Sequence, residues 1–337
     1  MCAVFFATSI AVSARDAAGL LDIVITPNDG MPAMGLPGAE FEVLTTAQAE
    51  LSIEANGATH ALTPQWSDAL GGRKHALCTI PADAAPGLYA LRARGADRED
   101  VNLRSVCVCG AFPETYTVAH ITDTHIGSNR NARTSEDIFT ELIQKVNATQ
   151  AAFVLVTGDL TESGEPEQFK HFLDILNTCT LPTFVCSGNH DRKELNYERT
   201  FGPDSYVFWF GKDGYLFFDT KDFYVAEDLG PQAADIERQR RALKSARWSI
   251  GASHRYEADM GMRTQLALFI DDPLDWFIFG HWHRENTAQE KSVPWAAPDG
   301  ATRITVTPAA INGAMRLFEI GPAGIVPGEV QTVVKVK

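Results

Sequence analysis

Positive charge is scarce in this chain. Its 337 residues carry 29 Lys and Arg against 43 Asp and Glu, a formal net charge of −14. That field repels nucleic-acid backbones and anionic membranes, which disfavours nonspecific polyanion binding and an extended nucleic-acid footprint. Cysteine is also sparse. Cys2, Cys78, Cys107, Cys109, Cys179 and Cys186 lack the paired spacing of a thiolate zinc site, and no disulfide framework is implied. Cys107-Val-Cys109 puts two sulfurs on one strand face, where they read as small apolar fillers, and no chemistry is assigned to them. Internal repeats and low-complexity tracts are missing, and no apolar run beyond the N-terminus reaches the length of a membrane span. The apolar stretch Met1 to Ala14 ends in Val12-Ser-Ala14, like the cleavage part of a secretory signal, but without a basic leading segment. Residues 1–19 are therefore read as a signal segment or else as a first strand. The signal reading, with a secreted or periplasmic location, is placed ahead of a cytoplasmic one.

What is present is a 45% apolar fraction and enough length for two cores. Short strand-like runs fill residues 20–112: Asp22 to Thr26, Glu40 to Leu44, Ala49 to Ala55, His75 to Ile80 and Gly87 to Ala93. Gly, Pro, Asn and Asp clusters separate them, which predicts a small immunoglobulin-like β-sandwich with a boundary near Phe112-Pro113. Residues 113–337 alternate strands with helical patterns. Thr134 to Asp137 caps a stripe of Ile138, Leu142, Ile143 and Val146, and Pro166 opens another of Phe169, Phe172, Leu173 and Leu176. Ser205 to Phe210 and Tyr215 to Thr220 flank a four-residue loop, Gly211 to Gly214, and a polar helix is expected from about Ala233 to Ala246. Runs at Arg303 to Thr307, Met315 to Ile320 and Val330 to Val336 predict antiparallel β structure at the end. The expected class is α/β: a two-sheet α/β sandwich preceded by a small all-β sandwich.

Five polar clusters punctuate the second part in fixed order: Asp123-Thr-His125, Gly158-Asp159, Gly188-Asn189-His190-Asp191, a lone His254, and Gly280-His281-Trp-His283. Each follows an apolar strand-like run: Val118 to Thr122, Phe153 to Thr157, Thr183 to Ser187, a weaker run from Trp248, and Trp276 to Phe279. Strand ends are where an open α/β sheet builds its crevice. Alone, each Asp or Asn there is most often a turn or cap, but independent caps have no reason to fall at five successive strand ends. Two cations a few Å apart need a ligand with two oxygens to bridge them, and Asp159 is the natural choice. Imidazoles suit Fe, Mn or Zn, and His281 and His283 are expected to point to one side of an extended segment, one for each metal. His60, His75, His120 and His171 lie outside these clusters and are read as structural or surface residues.

In this order the clusters resemble the calcineurin-like metallophosphoesterases over roughly Thr117 to Ile320. The resemblance implies a first metal held by Asp123, His125, Asp159 and His283, and a second by Asp159, Asn189, His254 and His281. It also implies that His190 touches substrate rather than metal, with Asp191 hydrogen-bonding to its ring. The sequence departs from the family twice. His254 lacks the His or Pro neighbour of many relatives, and no tyrosine follows Gly158-Asp159 as in purple acid phosphatases. The stretch from Thr157 to Phe169 looks more like the branch with cyclic-nucleotide and glycerophosphodiester phosphodiesterases. The expected function is hydrolysis of a small phosphodiester or phosphomonoester by a binuclear Fe, Mn or Zn centre, hydroxide attacking phosphorus and His190 assisting the leaving group. The alternatives are a noncatalytic partner- or surface-binding protein on a degenerate scaffold, or a nuclease.

Overall fold

The computed structural model describes residues 19–219, 231–255, 268, 272–285 and 302–336. The signal-or-strand segment Met1 to Ala14 lies outside them. Nine strands come first: β1 (Val24–Thr26), β2 (Ala33–Gly35), β3 (Glu40–Thr45), β4 (Glu50–Ala55), β5 (Ala58–Ala61), β6 (Gln65–Asp68), β7 (Lys74–Thr79), β8 (Gly87–Arg94) and β9 (Glu99–Val108). They form two sheets, ordered β1-β3-β7-β6 and β2-β9-β8-β4-β5, antiparallel except for the β2/β9 pair. Alternation builds their shared core: Phe41 and Val43, Leu51 and Ile53, Leu91 and Ala93, Val106 and Val108 point inward at period two.

The remaining elements are β10 (Tyr116–Ile121), α1 (Ser135–Asn147), β11 (Ala151–Thr157), α2 (Pro166–Leu176), β12 (Thr183–Cys186), α3 (Asn196–Phe201), β13 (Tyr206–Phe210), β14 (Asp213–Phe217), α4 (Pro231–Ala242), β15 (Ser249–Ala252), β16 (Trp276–Phe279), β17 (Arg303–Val306), β18 (Ala314–Gly321) and β19 (Gly324–Thr332). Two five-stranded sheets, β12-β11-β10-β18-β19 and β13-β14-β15-β16-β17, enclose an apolar layer rich in aromatics: Phe153, Phe184, Phe208, Tyr215, Phe217 and Phe318. Fully burying each such side chain contributes roughly 1.5–3 kcal/mol. Outside the first sheet, α1 and α2 lay their stripes on Val154 and Val156, with Phe139 stacked on Phe172 at 5.2 Å. Thr134 caps α1 by accepting from the Asp137 amide, and Pro166 starts α2, as their sequences predict. The second sheet is covered by Ile236 of α4 and Leu243.

Two expectations fail here. The β13/β14 hairpin turns through Gly211 and Lys212 alone, because Phe210 pairs with Asp213. Asp213 is a fully buried strand residue that accepts from the Tyr116 hydroxyl (2.8 Å) and Arg247 Nε (2.8 Å), so it cannot serve as loop. The Arg303 run, expected in antiparallel structure, extends the second sheet in parallel beside β16. Its burial on both faces from Ile304 onward is what a parallel strand requires.

The turn between β1 and β2 is fastened to the strand that leads to His190 and to the end of α3. The Val185 amide donates to Gly30 O (2.9 Å), Thr183 Oγ1 to Asp29 O (2.9 Å), and Asn28 Nδ2 to Phe201 O (2.9 Å). Strands β10, β11 and β12 run parallel, as do β14, β15, β16 and β17, so the C-terminal ends of both sets share one edge of the sandwich.

Candidate metal centre

All five polar clusters sit at those strand ends, following β10, β11, β12, β15 and β16. Their backbone is unusual. Asp123 (φ 57°), His125 (φ 48°), Asp159 (φ 46°), His281 (φ 67°) and His283 (φ 52°) are all left-handed, a conformation that costs non-glycine residues about 1–3 kcal/mol each. His281 and His283 are thus not on an extended segment, contrary to expectation. Instead the chain folds back, with the Trp282 amide donating to Gly280 O at 2.8 Å. Close approach makes two glycines necessary. A Cβ on Gly280 would lie 1.8 Å from Thr122 Oγ1, and Gly158 (φ 73°) would meet the His254 Cβ at 2.5 Å.

The folding of these turns gathers six of the seven sequence-predicted ligands, all but Asn189, into two groups. Asp123, His125, Asp159 and His283 form one group and Asp159, His254 and His281 a second, with the donor atoms of each group within 4.8 Å of one another. Ligands at roughly 2.0–2.3 Å from one ion lie about 3–4 Å apart. Here His125 Nε2 is 3.1 Å from His283 Nε2, and His254 Nε2 is 3.2 Å from His281 Nδ1. Asp159 belongs to both groups through one atom: its Oδ2 lies 3.1 Å from His254 Nε2 and 3.7 Å from His125 Nε2. Its other oxygen accepts from the His190 amide at 2.9 Å. Asp123 divides its oxygens likewise. Oδ2 accepts from Thr122 Oγ1 (2.7 Å) and the His281 amide (2.9 Å), whereas buried Oδ1 faces His283 Nε2 at 3.0 Å. Asn189 Oδ1 is a buried oxygen lacking a hydrogen-bond partner. Buried oxygens of this kind, beside imidazole nitrogens, are the donor set a divalent cation takes up. The residues present therefore fit a pair of metal ions.

Electrostatics agree. Burial alone would lower His254, but the Asp159 and Asp123 carboxylates lift it to about 9. His283 is raised by its interaction with Asp123. Burial pushes His125 and His281 down to about 4, His281 further disfavoured by His254. Despite burial, Asp159 is held well below the usual carboxylate range by His254 and His125. The pocket thus accumulates positive charge around two buried carboxylates, and a cation bound there displaces a proton.

His190 stands beside both groups without joining either of them. Its ring packs edge-on against His125 at 4.7 Å, and its Nδ1 lies 2.6 Å from Glu162 O. A carbonyl only accepts, so Nδ1 carries the proton and Nε2 is left for other partners. Asp191 does not hydrogen-bond to this ring, contrary to expectation. Fully buried, it accepts from the amides of Gly188 (2.7 Å), Leu160 (3.1 Å) and Thr161 (2.9 Å) and from Thr161 Oγ1 (2.8 Å). It clips the Asp159 turn to the Asn189 turn, and with so many donors nearby its oxygens have none to spare for His190.

Sequence reasoning missed Glu162. Its Oε2 lies 2.9 Å from His125 Nδ1, and its Oε1 accepts from Arg130 at 2.7 Å, while its carbonyl holds His190. One residue thereby positions a candidate ligand and the candidate acid. An acid three residues past Asp159 was the available signal. Trp282 packs edge-on against Phe279, and Phe208 and Phe210 lie in the inter-sheet core.

The sequence profile described as Calcineurin-like phosphoesterase matches residues 116–285. A protein of Xenorhabdus bovienii named "Probable cyclic nucleotide phosphodiesterase" is 27% identical over 95 residues, 26% of this chain and 38% of that one. One of Arcobacter nitrofigilis named "Probable glycerophosphodiester phosphodiesterase" is 34% identical over 90 residues, 25% of this chain and 33% of that one. The matched segment thus spans about a third of the length of these curated relatives. Among solved structures, a purple acid phosphatase from yellow lupin superposes with a TM-score of 0.50 over 85% of this chain and 68% of its own, at 15% identity, a likeness of fold.

Proposed function

The chain belongs to the calcineurin-like phosphoesterase family, and from that premise we propose that it hydrolyses a small phosphoester, a phosphodiester or phosphomonoester, at a binuclear metal centre. The observation that carries this reading is Asp159 Oδ2, one oxygen facing two donor groups at once. Asp123, His125, Asp159 and His283 would hold one ion, and Asp159, Asn189, His254 and His281 the other. Iron, manganese and zinc all suit this mixture of imidazole and oxygen donors. When bound, such ions supply Lewis acidity, neutralising phosphoryl charge and lowering the pKa of water.

The chain's own residues supply the rest. The Asp159 carboxylate, through its bond from the His190 amide, sets the distance between the centre and the His190 ring. Glu162 O holds a proton on Nδ1, so Nε2 is the nitrogen that faces the departing alkoxide, and from the doubly protonated imidazolium it would donate its proton there while the ring keeps the one on Nδ1. Arg130, paired with Glu162 and half exposed, adds positive charge beside the cleft in a chain that is otherwise acidic. A small phosphodiester is the favoured substrate, supported by the names of the partial relatives and by a net charge unsuited to polymeric nucleic acid.

The test is a panel of phosphodiesters and phosphomonoesters, single-stranded DNA included, run on protein reconstituted separately with Mn, Fe and Zn with metal content measured on each sample. Turnover of small esters that scales with two bound ions supports the proposal. Preferred cleavage of DNA would make it a nuclease, and full loading with no turnover would leave a binding protein.

A further inference from the structure

The dithiol at the end of β9 lies outside the metal centre and is built for chemistry of its own. Cys107 and Cys109 are both partly exposed, and their sulfurs lie 3.8 Å apart. Neighbouring strands fix the backbone under them. Cys107 pairs with Met34 of β2 and Leu88 of β8, and the Cys109 amide donates to Gly35 O at 2.8 Å. Val106 and Val108 point into the core of the N-terminal sheets, so the intervening cysteine thiols share the opposite face. At roughly 3.3 Å per residue their Cα atoms are about 6.6 Å apart, at the long end of the 4.4–6.8 Å range that a disulfide spans.

We propose that Cys107 and Cys109 form a redox-modification site that accepts an internal disulfide by exchange with a small-molecule disulfide. Cys109, which lies just past the last residue of β9, is the attacking group. Its thiolate bonds to one sulfur of the external disulfide, whose S–S bond breaks and releases the first thiolate. Cys107 then gives up its proton and attacks the Cys109 sulfur, expelling the second thiolate. The two cysteines lose two electrons and two protons, the external disulfide gains them, and two small thiols leave.

Three features support this order. The contact between the two sulfurs, in which either can donate, lowers the Cys109 thiol and, together with burial, raises Cys107. A buried guanidinium, Arg104, stands on the same strand three residues before Cys107, and its charge favours the Cys107 thiolate once that group must react. Two of its nitrogens, Nε and Nη1, make no hydrogen bond, its Nη2 being engaged by Leu181 O and Thr183 Oγ1. Cys78, Cys179 and Cys186 are buried, which leaves this pair as the accessible thiols among the described residues.

The experiment equilibrates the full chain with reduced and oxidised glutathione over a range of ratios and locates adducts by mass spectrometry of acid-quenched peptides. The expected product loses two hydrogens and links positions 107 and 109. Cys107→Ser should instead accumulate glutathione on Cys109, while Cys109→Ser should react at least about tenfold more slowly. Iodoacetamide on the unsubstituted reduced chain should label Cys109 before Cys107 by a similar factor, a readout that does not depend on either variant folding. Failure of the internal bond to form at any ratio, or faster labelling of Cys107, overturns the proposal.

Discussion

His120, inside strand β10, and His254, just past the end of β15, are both fully buried, yet the fold treats them oppositely. His120 lies between two hydroxyls, Thr307 Oγ1 on Nδ1 and Thr157 Oγ1 on Nε2, each at 2.7 Å, and burial drives it down to about 3. His254 pays the same desolvation but faces Asp159 and Asp123 and rises to about 9. Burial alone therefore does not mark a site in this molecule. What marks it is a pair of buried carboxylates faced by imidazoles and gathered at strand ends by left-handed turns.

Removing one of these carboxylates is the strongest way to break the comparison. Asp159→Ala should empty both metal positions, with activity falling beyond the roughly 10⁴-fold that loss of a positioned acid can cost. Metal analysis beside His283→Ala, expected to weaken chiefly one position, decides whether Asp159 is shared; retention of one full equivalent by Asp159→Ala contradicts the bridge. Next in size is His190→Ala, which should keep both ions while kcat drops by roughly 10² to 10⁴. The defect should shrink on an ester with a low-pKa phenolate leaving group, because little protonation is then needed. Loss of a metal ion would make His190 a ligand instead.

These assignments were legible in sequence because strand ends leave two separable marks, an apolar run and then a polar cluster. Phe153 to Thr157 followed by Gly158-Asp159 carries both. Backbone conformation leaves no such mark. Nothing in Asp123-Thr-His125 or His281-Trp-His283 announces alternating left-handed residues, so an extended His-x-His was the natural reading. The role of Asp191 was misjudged for a related reason. Adjacency to His190 suggests a partner, but two of its three amide donors come from residues some 30 positions earlier, Leu160 and Thr161. Among the N-terminal strands, β5 and β6 escaped notice because they are largely exposed and show no apolar alternation. β9 is interrupted by the left-handed Arg104, which blurs its period.

Smaller effects sharpen the contrast between holding a site and forming it. Glu162→Gln keeps the carbonyl that holds His190 but weakens the carboxylate beside His125, so metal affinity should fall about 10- to 100-fold with the fold intact. Competition with a metal chelator measures this, and unchanged affinity would confine Glu162 to its backbone role. Asp191→Ala removes the acceptor of three buried amides and should cost about 1–3 kcal/mol or more in unfolding by urea. A variant as stable as the parent would mean that the two turns hold together without the clip.

The smallest effect is reserved for His120 and tests whether the two histidines differ as described. The native ring titrates at about 3 and the unfolded one near 6.5, so below pH 6.5 the unfolded chain takes up a proton that the native state excludes. His120 therefore costs nothing at pH 7 and destabilises progressively as the pH falls from 6.5 toward 3, by up to about 1.4 kcal/mol per unit. His120→Gln can keep one hydrogen bond to the threonine pair but cannot take up this proton. Between pH 7 and pH 5 the variant should lose about 2 kcal/mol less stability than the parent. Both are measured by urea unfolding in the presence of chelator, so that metal release does not enter the difference. At pH 7 the variant should bind as much metal as the parent, since a residue within the strand supplies no ligand. Equal pH slopes for parent and variant would mean that the native His120 is protonated as readily as the unfolded one, and the distinction between the two buried histidines would collapse.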